Sequence, residues 1–204
     1  MAKKSSASVE PTRDRIFAAT QELFAAEGLA GLSMRKIADM VGLTPMAIYK
    51  HYPDKDALVD ALMLDGFAVW EARVRKLSTK NPVRWLELFF DAFLDFSITE
   101  PRHYEAAFLL PARHARRYPD DFSAGRSPAL NMAYEHIEEA RALGFIDNTP
   151  AIEIALTQSA LGQGLISMYR AGRFASEKEF RATYRRAMRR GFRQFMAIRP
   201  KTAK

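Results

Sequence analysis

The 204-residue sequence contains no cysteine, which excludes a disulfide framework, thiolate metal sites and thiol-based catalysis. Histidine is scarce: His51, His103, His114 and His136 lie far apart and show none of the paired spacing that a metal site uses. Neither a metal nor any other cofactor is therefore expected. Long apolar runs are missing as well. The greasiest segment, residues 85–98, is interrupted by Glu87, Asp91 and Asp95, well short of the roughly 18 uninterrupted apolar residues of a membrane span. Residues 1–11 carry two lysines and then small polar side chains without an apolar stretch, so they read as a disordered arm and not as a signal peptide. The expectation is a soluble, cytoplasmic chain with no membrane partner. No segment alternates apolar and polar residues as a half-buried strand does, and no Asn-Gly or Asp-Gly hairpin turn occurs. No metal pair, activated nucleophile motif or phosphate loop is found either. Gly162-Gln163-Gly164 follows no strand and lacks the third glycine of a nucleotide-binding turn.

What is present begins with charge. The net charge is +7, a value that points toward nucleic acid, but its location matters more than its size. Residues 181–204 hold nine basic side chains and no acid: Arg181, Arg185, Arg186, Arg189, Arg190, Arg193, Arg199, Lys201 and Lys204. Taking those nine from +7 leaves −2 for residues 1–180, and the first 60 residues balance eight bases against eight acids. The basic bias thus belongs to the last helix. It reads first as a solvated face with carboxylate pairs between helices, and otherwise as a membrane-surface helix or a second nucleic-acid contact.

Helical punctuation recurs along the chain. Asn81-Pro82, Ser127-Pro128 and Thr149-Pro150 each offer an acceptor side chain followed by proline at the first helical position. Ser176 with Glu179 fits a capping box, and Gly28, Gly144 and Gly172 stand where periodic segments stop. Apolar residues follow the helical period: Ile16, Thr20, Leu23 and Phe24; then Leu86, Phe89, Phe90, Phe93 and Leu94; finally Phe180, Tyr184, Ala187, Met188, Phe192 and Phe195. The reading is all-α, with helices at 12–27, 33–41, 45–51, 54–78, 82–99, 102–110, 127–143, 149–171 and 176–198 and a long loop at 111–126. A disordered arm (1–10) precedes a three-helix head (11–57); a larger helical bundle (58–198) and a short tail (199–204) follow.

Residues 33–51, SMRKIADMVGLTPMAIYKH, carry the most information. Ser33 is placed to cap a short helix whose inner face is Ile37, Ala38 and Val41, and Ala38 is small enough for a second helix to cross closely. Gly42 permits the positive φ of a sharp turn, Leu43 plugs the core beneath it, and Thr44 with Pro45 starts a second short helix. Ile48 points inward there, leaving Pro45, Met46, Ala47, Tyr49, Lys50 and His51 for the surface. Two short helices joined by a tight glycine turn form a helix-turn-helix, whose second member enters the DNA major groove.

Residues 15–62 resemble the N-terminal domain of TetR-type repressors almost without gaps. The resemblance rests on Leu23-Phe24 ahead of Gly28, Ile37-Ala38, Gly42-Leu43-Thr44, Ile48-Tyr49, His51-Tyr52 and Lys55-Asp56-Ala57-Leu58. Two departures are Met46, where many members carry glycine or a polar residue, and Tyr52 in place of the commoner phenylalanine. The resemblance implies phosphate contacts from Ser33, Thr44, Tyr49, His51 and Lys55, and the hydroxyl, imidazole and ammonium chemistry of these side chains fits that role. Arg35 and Lys50 are the candidates for reading base edges, since either donates to guanine O6 and N7. Pro45, Met46 and Ala47 offer apolar contact to thymine methyl groups.

The segment 58–143 is rich in aromatic residues: Phe67, Trp70, Trp85, Phe89, Phe90, Phe93, Phe96, Tyr104, Phe108 and Tyr134. They fill a helical core, or some of them line a pocket; Phe89, Phe93 and Phe96 are expected to turn through more than one face of their helix. The resemblance implies a small-molecule cavity in this body, and Trp70, Phe93, Tyr104, Phe108 and Gln158 are the candidates to touch an apolar or aromatic effector. It also implies a homodimer through 149–171 and 176–198. Ser159, Ala160, Gly162 and Gly164 there put small residues where glycine is unfavourable unless something packs closely. The functional expectation is a non-enzymatic, ligand-responsive repressor that binds a palindromic operator as a dimer. The rivals are an enzyme on a helical scaffold and a basic, non-specific nucleic-acid or membrane-surface protein acting through residues 181–204.

Overall fold

A computed structural model describes residues 11–118 and 120–197. The expected arm at 1–10 and tail at 199–204, with Arg199, Lys201 and Lys204, lie outside the described residues. Among the described residues ten helices follow one another: α1 (Thr12–Gly31), α2 (Met34–Val41), α3 (Pro45–Tyr49), α4 (Lys55–Val74), α5 (Pro82–Thr99), α6 (Pro101–Phe108), α7 (Asp120–Ser123), α8 (Pro128–Ala142), α9 (Ala151–Arg170) and α10 (Glu177–Arg193). The all-α expectation holds. Among the described residues the only β pairing is an isolated antiparallel bridge between Ile146 and Met196. No helix among them is long and apolar enough to cross a membrane.

The chain divides into two compact units. The first comprises the described residues up to Phe67 together with Arg102–Ala115. Its core takes Ile16, Leu23 and Phe24 from α1, Ile37 and Ala38 from α2, Ile48 from α3, Leu58 and Leu62 from α4 and Ala106 from α6. Each fully buried aliphatic side chain of this kind contributes about 1.5–3 kcal/mol of transfer free energy. α6 approaches α4 so closely that a Cβ on Gly66 would sit 2.5 Å from the His103 carbonyl oxygen, which accounts for a glycine in a helix interior. The loop after α6 is tied to the start of α4. Arg113 donates to Asp54 at 3.0 Å and to Asp56 at 2.8 Å, while the His114 backbone N–H (3.1 Å) and Nδ1 (2.6 Å) both meet the Asp60 carboxylate.

The second unit comprises Ala68–Pro101 and the described residues from Arg116 onward. Phe89, Phe93 and Phe96 of α5 all meet Trp70, with ring centroids 5.3, 5.4 and 5.5 Å away. The three rings expected on more than one face therefore converge on one partner, because spacings of four and three residues keep them in a single stripe. Trp85 stacks on His136 of α8 at 3.9 Å and 10°. α10 lies against both α9 and α5. The Tyr184 hydroxyl donates to the Phe90 carbonyl at 3.2 Å, Arg181 pairs with Asp95 and Glu177, and Arg185 pairs with Asp91 at 3.0 Å. A Cβ on Gly162 would meet the Tyr184 hydroxyl at 2.9 Å, so this glycine serves the α9–α10 contact within one chain.

Several expected ends shift. α1 runs on to Gly31 because Gly28, at φ 69° and ψ −168°, breaks the helix for one residue before a last turn resumes. Asn81, Thr44 and Ser176 cap as expected, accepting from Arg84, Ala47 and Glu179 N–H groups. Ser33 and Ser127 make no side-chain cap bond, and Pro150 is itself the residue before α9, so Thr149 does not cap it. The loop expected at 111–126 contains α7, started by Asp120 and Asp121, whose charge favours a helix N-terminus. α10 stops at Arg193, after which Asp147 N–H donates to the Phe195 carbonyl and Ala197 N–H to the Phe145 carbonyl, each at 2.9 Å.

Candidate nucleic-acid interface

The turn between α2 and α3 is built as its residues require. Gly42 ends α2 in the left-handed region at φ 69° and ψ 36°, and Leu43 N–H returns to the Ala38 carbonyl at 2.9 Å. Ala38 and Ile37 are completely buried, as is Ile48 on α3. Arg15 of α1 donates to the Val41 carbonyl at 2.8 Å, satisfying a free acceptor at the end of α2. Thr44 Oγ1 accepts from Ala47 N–H at 3.3 Å, with Pro45 at the first helical position. The guanidinium of Arg13 lies 5.2 Å from the centre of the buried Tyr52 ring, a cation–π contact that anchors the segment after α3.

α3 has one turn and a half, and a single inward side chain. Pro45, Met46, Tyr49 and Lys50 are exposed, Met46 to 70% and Tyr49 to 46%, while Ala47 and His51 are half-buried. Exposed methionine and tyrosine on a helix this short leave an apolar and hydroxyl-bearing surface uncovered. Arg35 is exposed on α2, Thr44 is exposed at the turn, and Ser33 is half-buried before α2. Lys55 is partly engaged: its ammonium donates to the Leu29 carbonyl at 3.1 Å, leaving two of its three donors. Lys36, beside Arg35, pairs with Glu27 at 2.5 Å. Of the ten expected DNA-contacting residues, Ser33 precedes α2 and Arg35 lies on it, Thr44 is in the turn, Pro45, Met46, Ala47 and Tyr49 are on α3, Lys50 and His51 follow α3, and Lys55 opens α4.

The residues expected around an effector fall in both units. In the second, Trp70 and Phe93 are buried and in ring contact. Gln158 is fully buried with neither amide atom hydrogen-bonded. In the first, Tyr104 is buried and Phe108 half-buried, with ring centroids 5.4 Å apart. Sequence reasoning did not single out two further polar groups withdrawn from water elsewhere in the second unit. The Tyr134 hydroxyl is buried without a partner and burial pushes its pKa up. Burial holds the Arg116 guanidinium below its ordinary pKa, opposed by the charges of Glu71 and Asp121. An unsatisfied buried polar group costs about 1–3 kcal/mol, and a helical period reveals nothing of such a cost. Among the described residues no three histidine, aspartate or glutamate side chains are placed to hold a metal ion.

Comparison with known proteins places these features. Residues 16–62 match the bacterial regulatory proteins of the tetR family, and residues 86–191 match a tetracyclin repressor-like C-terminal domain. The HTH-type transcriptional repressor KstR2 of Mycobacterium tuberculosis is 32% identical over 112 residues, covering 53% of this chain and 54% of its own. The chain therefore spans about half the length of this curated relative. Among solved structures, a protein of unknown function from Rhodococcus sp. RHA1 superposes with a TM-score of 0.75 at 21% identity, over 94% of this chain and 99% of that one. SmeT in complex with triclosan superposes with a TM-score of 0.63 at 20% identity, over 96% and 98%. At these identities the structural likeness is one of fold.

Proposed function

Because the chain belongs to the TetR family of bacterial regulatory proteins, we propose that it is a transcriptional repressor that binds a palindromic operator as a homodimer and releases it on binding a small apolar or aromatic effector. Regulators of this family bind DNA and are not enzymes. The observation that carries the reading is α3: Thr44-capped and glycine-hinged, with Ile48 its one fully buried residue, Met46 and Tyr49 exposed on it and Lys50 exposed directly after it. In this reading Ser33, Thr44, Tyr49, His51 and Lys55 hold phosphates and fix the register. Arg35 and Lys50 read base edges, and Pro45, Met46 and Ala47 meet thymine methyl groups. Two dimer-related α3 helices then occupy successive major grooves about one helical turn apart.

Effector control rests on the second unit. The unpartnered Gln158 amide and Tyr134 hydroxyl, near-neutral polar groups in an aromatic body, support a mostly apolar ligand with one or two hydrogen-bonding atoms. The triclosan complex of SmeT supports an aromatic one. α4 is common to both units, passing from one to the other at residues 67 and 68. An effector that binds better to the conformation with poor operator affinity shifts the population by that difference alone.

The test is a mobility-shift assay on a site selected from random DNA. The parent chain is expected to prefer that site by about 10³ or more over bulk DNA. Arg35→Ala is expected to cost about 1–3 kcal/mol and relax selectivity at one base pair of each half-site. Unchanged affinity and selectivity in Arg35→Ala would overturn the docking register. Equal binding to all DNA would favour a charge-driven binder acting through α10. A panel of apolar compounds, followed by tryptophan fluorescence and operator release, tests the effector arm.

A further inference from the structure

The second unit also holds a groove between the first half of α5 and the second half of α10. Its volume is about 240 Å³, and its walls run from Val83 to Asp91 on one side and from Arg185 to Met196 on the other. Leu86, Phe90 and Met188 form a buried apolar floor, with Val83, Phe192 and Met196 half-buried beside it. The space exceeds the roughly 150 Å³ cavity that holds a benzene ring and falls short of the 300 Å³ or more of a typical drug-sized site. Met188 and Met196 make the Arg185–Met196 wall adaptable.

The rim decides what fits. Arg84 is neutralised by Glu87 at 2.6 Å and Arg185 by Asp91 at 3.0 Å. Arg189 and Arg193, one helical turn apart on the same lip, have no carboxylate partner among the described residues. The groove therefore combines an apolar trench with two uncompensated guanidiniums at its edge. A basic face that is merely solvated needs no trench beside it; Arg186 and Arg190, which do not line the groove, are of that kind. The two carboxylates already on the rim disfavour a ligand of high negative charge, whereas a single carboxylate is matched by the planar guanidinium fork.

We propose that the α5–α10 groove is a second small-molecule site, selective for a free organic monocarboxylate with a compact apolar body, seated tail-inward with its carboxylate on Arg189 and Arg193. It is separate from the effector reading above and survives that reading's failure.

The probes are octanoate and 1-octanol, of equal chain length and different charge, titrated into the full chain carrying methyl-labelled methionine. Octanoate is expected to saturate at one molecule per chain and to shift the Met188 and Met196 methyl resonances. Octanol should bind at least about tenfold more weakly, the loss expected for a charge-assisted contact. Arg189→Gln with Arg193→Gln should abolish that discrimination without moving the unfolding midpoint. Equal affinity for the two probes, octanoate shifts confined to other methyl groups, or no binding at millimolar concentration would each overturn the proposal. So would a change of oligomeric state in the double variant, since it would make this lip a contact between copies.

Discussion

Asp54 performs two tasks at the start of α4. One carboxylate oxygen accepts the Ala57 backbone N–H at 2.8 Å, and the other accepts Arg113 at 3.0 Å. The Arg113 hydrogen bond, followed by the Ala57 N–H, holds the Asp54 pKa below its ordinary 3.8. A carboxyl whose folded pKa is depressed adds stability that is fully present above its unfolded value and is lost as pH falls through the folded one. Removing the guanidinium removes part of that depression. The stability deficit of Arg113→Ala, measured by urea unfolding, is therefore expected to be constant between about pH 5 and 7 and to shrink below about pH 4. A deficit that widens on acidification would mean that Arg113 acts through something other than the carboxylates of Asp54 and Asp56. None of this was legible in the sequence, because the pair spans 59 residues and no local period points from the end of α6 to the start of α4.

Among the elements, the α2–turn–α3 unit was the most legible, for a physical reason: its determinants are local. Gly42 must take positive φ, Ala38 must be small, and Thr44-Pro45 must begin a helix, all within eight residues. Caps elsewhere were less legible. Ser33 and Ser127 stand where acceptors belong, yet make no cap bond, since water or a neighbouring backbone group satisfies a helix end equally well. The body residues were harder still: whether Trp70, Phe93 and Gln158 fill core or face a ligand depends on packing between distant helices. The locality of the turn makes a clean prediction. A Cβ on Gly42 has nothing within 4 Å, so substitution is penalised by backbone conformation and not by a clash. Gly42→Ala should destabilise by about 1–2 kcal/mol, and Gly42→Asn by less, because asparagine tolerates the left-handed region. Equal losses for the two would show that the turn has moved out of that region in solution.

Assembly of the protein turns on α9, which presents two distinct faces. Its inward face carries Ile154, Ala155, Gln158, Gly162 and Ile166. On the opposite side Leu156, Ala160, Gly164 and Met168 recur every four residues and are all exposed, Leu156 to 44% and Met168 to 50%. A second stripe of apolar and small residues on a helix already packed on one face is the surface that a partner copy would cover in the proposed homodimer. Gly164 separates the two possible outcomes. A Cβ there meets nothing within 4 Å in the single chain, so Gly164→Ala should raise the stability of an isolated chain by about 1 kcal/mol through helix propensity alone. If a partner helix crosses at this point, the same methyl group holds the two helices apart and dimerisation weakens. Sedimentation across a concentration series is expected to show Gly164→Ala dissociating at higher concentration than the parent, with Ala160→Glu monomeric throughout. Operator affinity should fall in the same order, because two linked heads bind a palindrome far better than two free ones. A Gly164→Ala variant that is both more stable and as tightly dimeric as the parent would move the interface off this stripe.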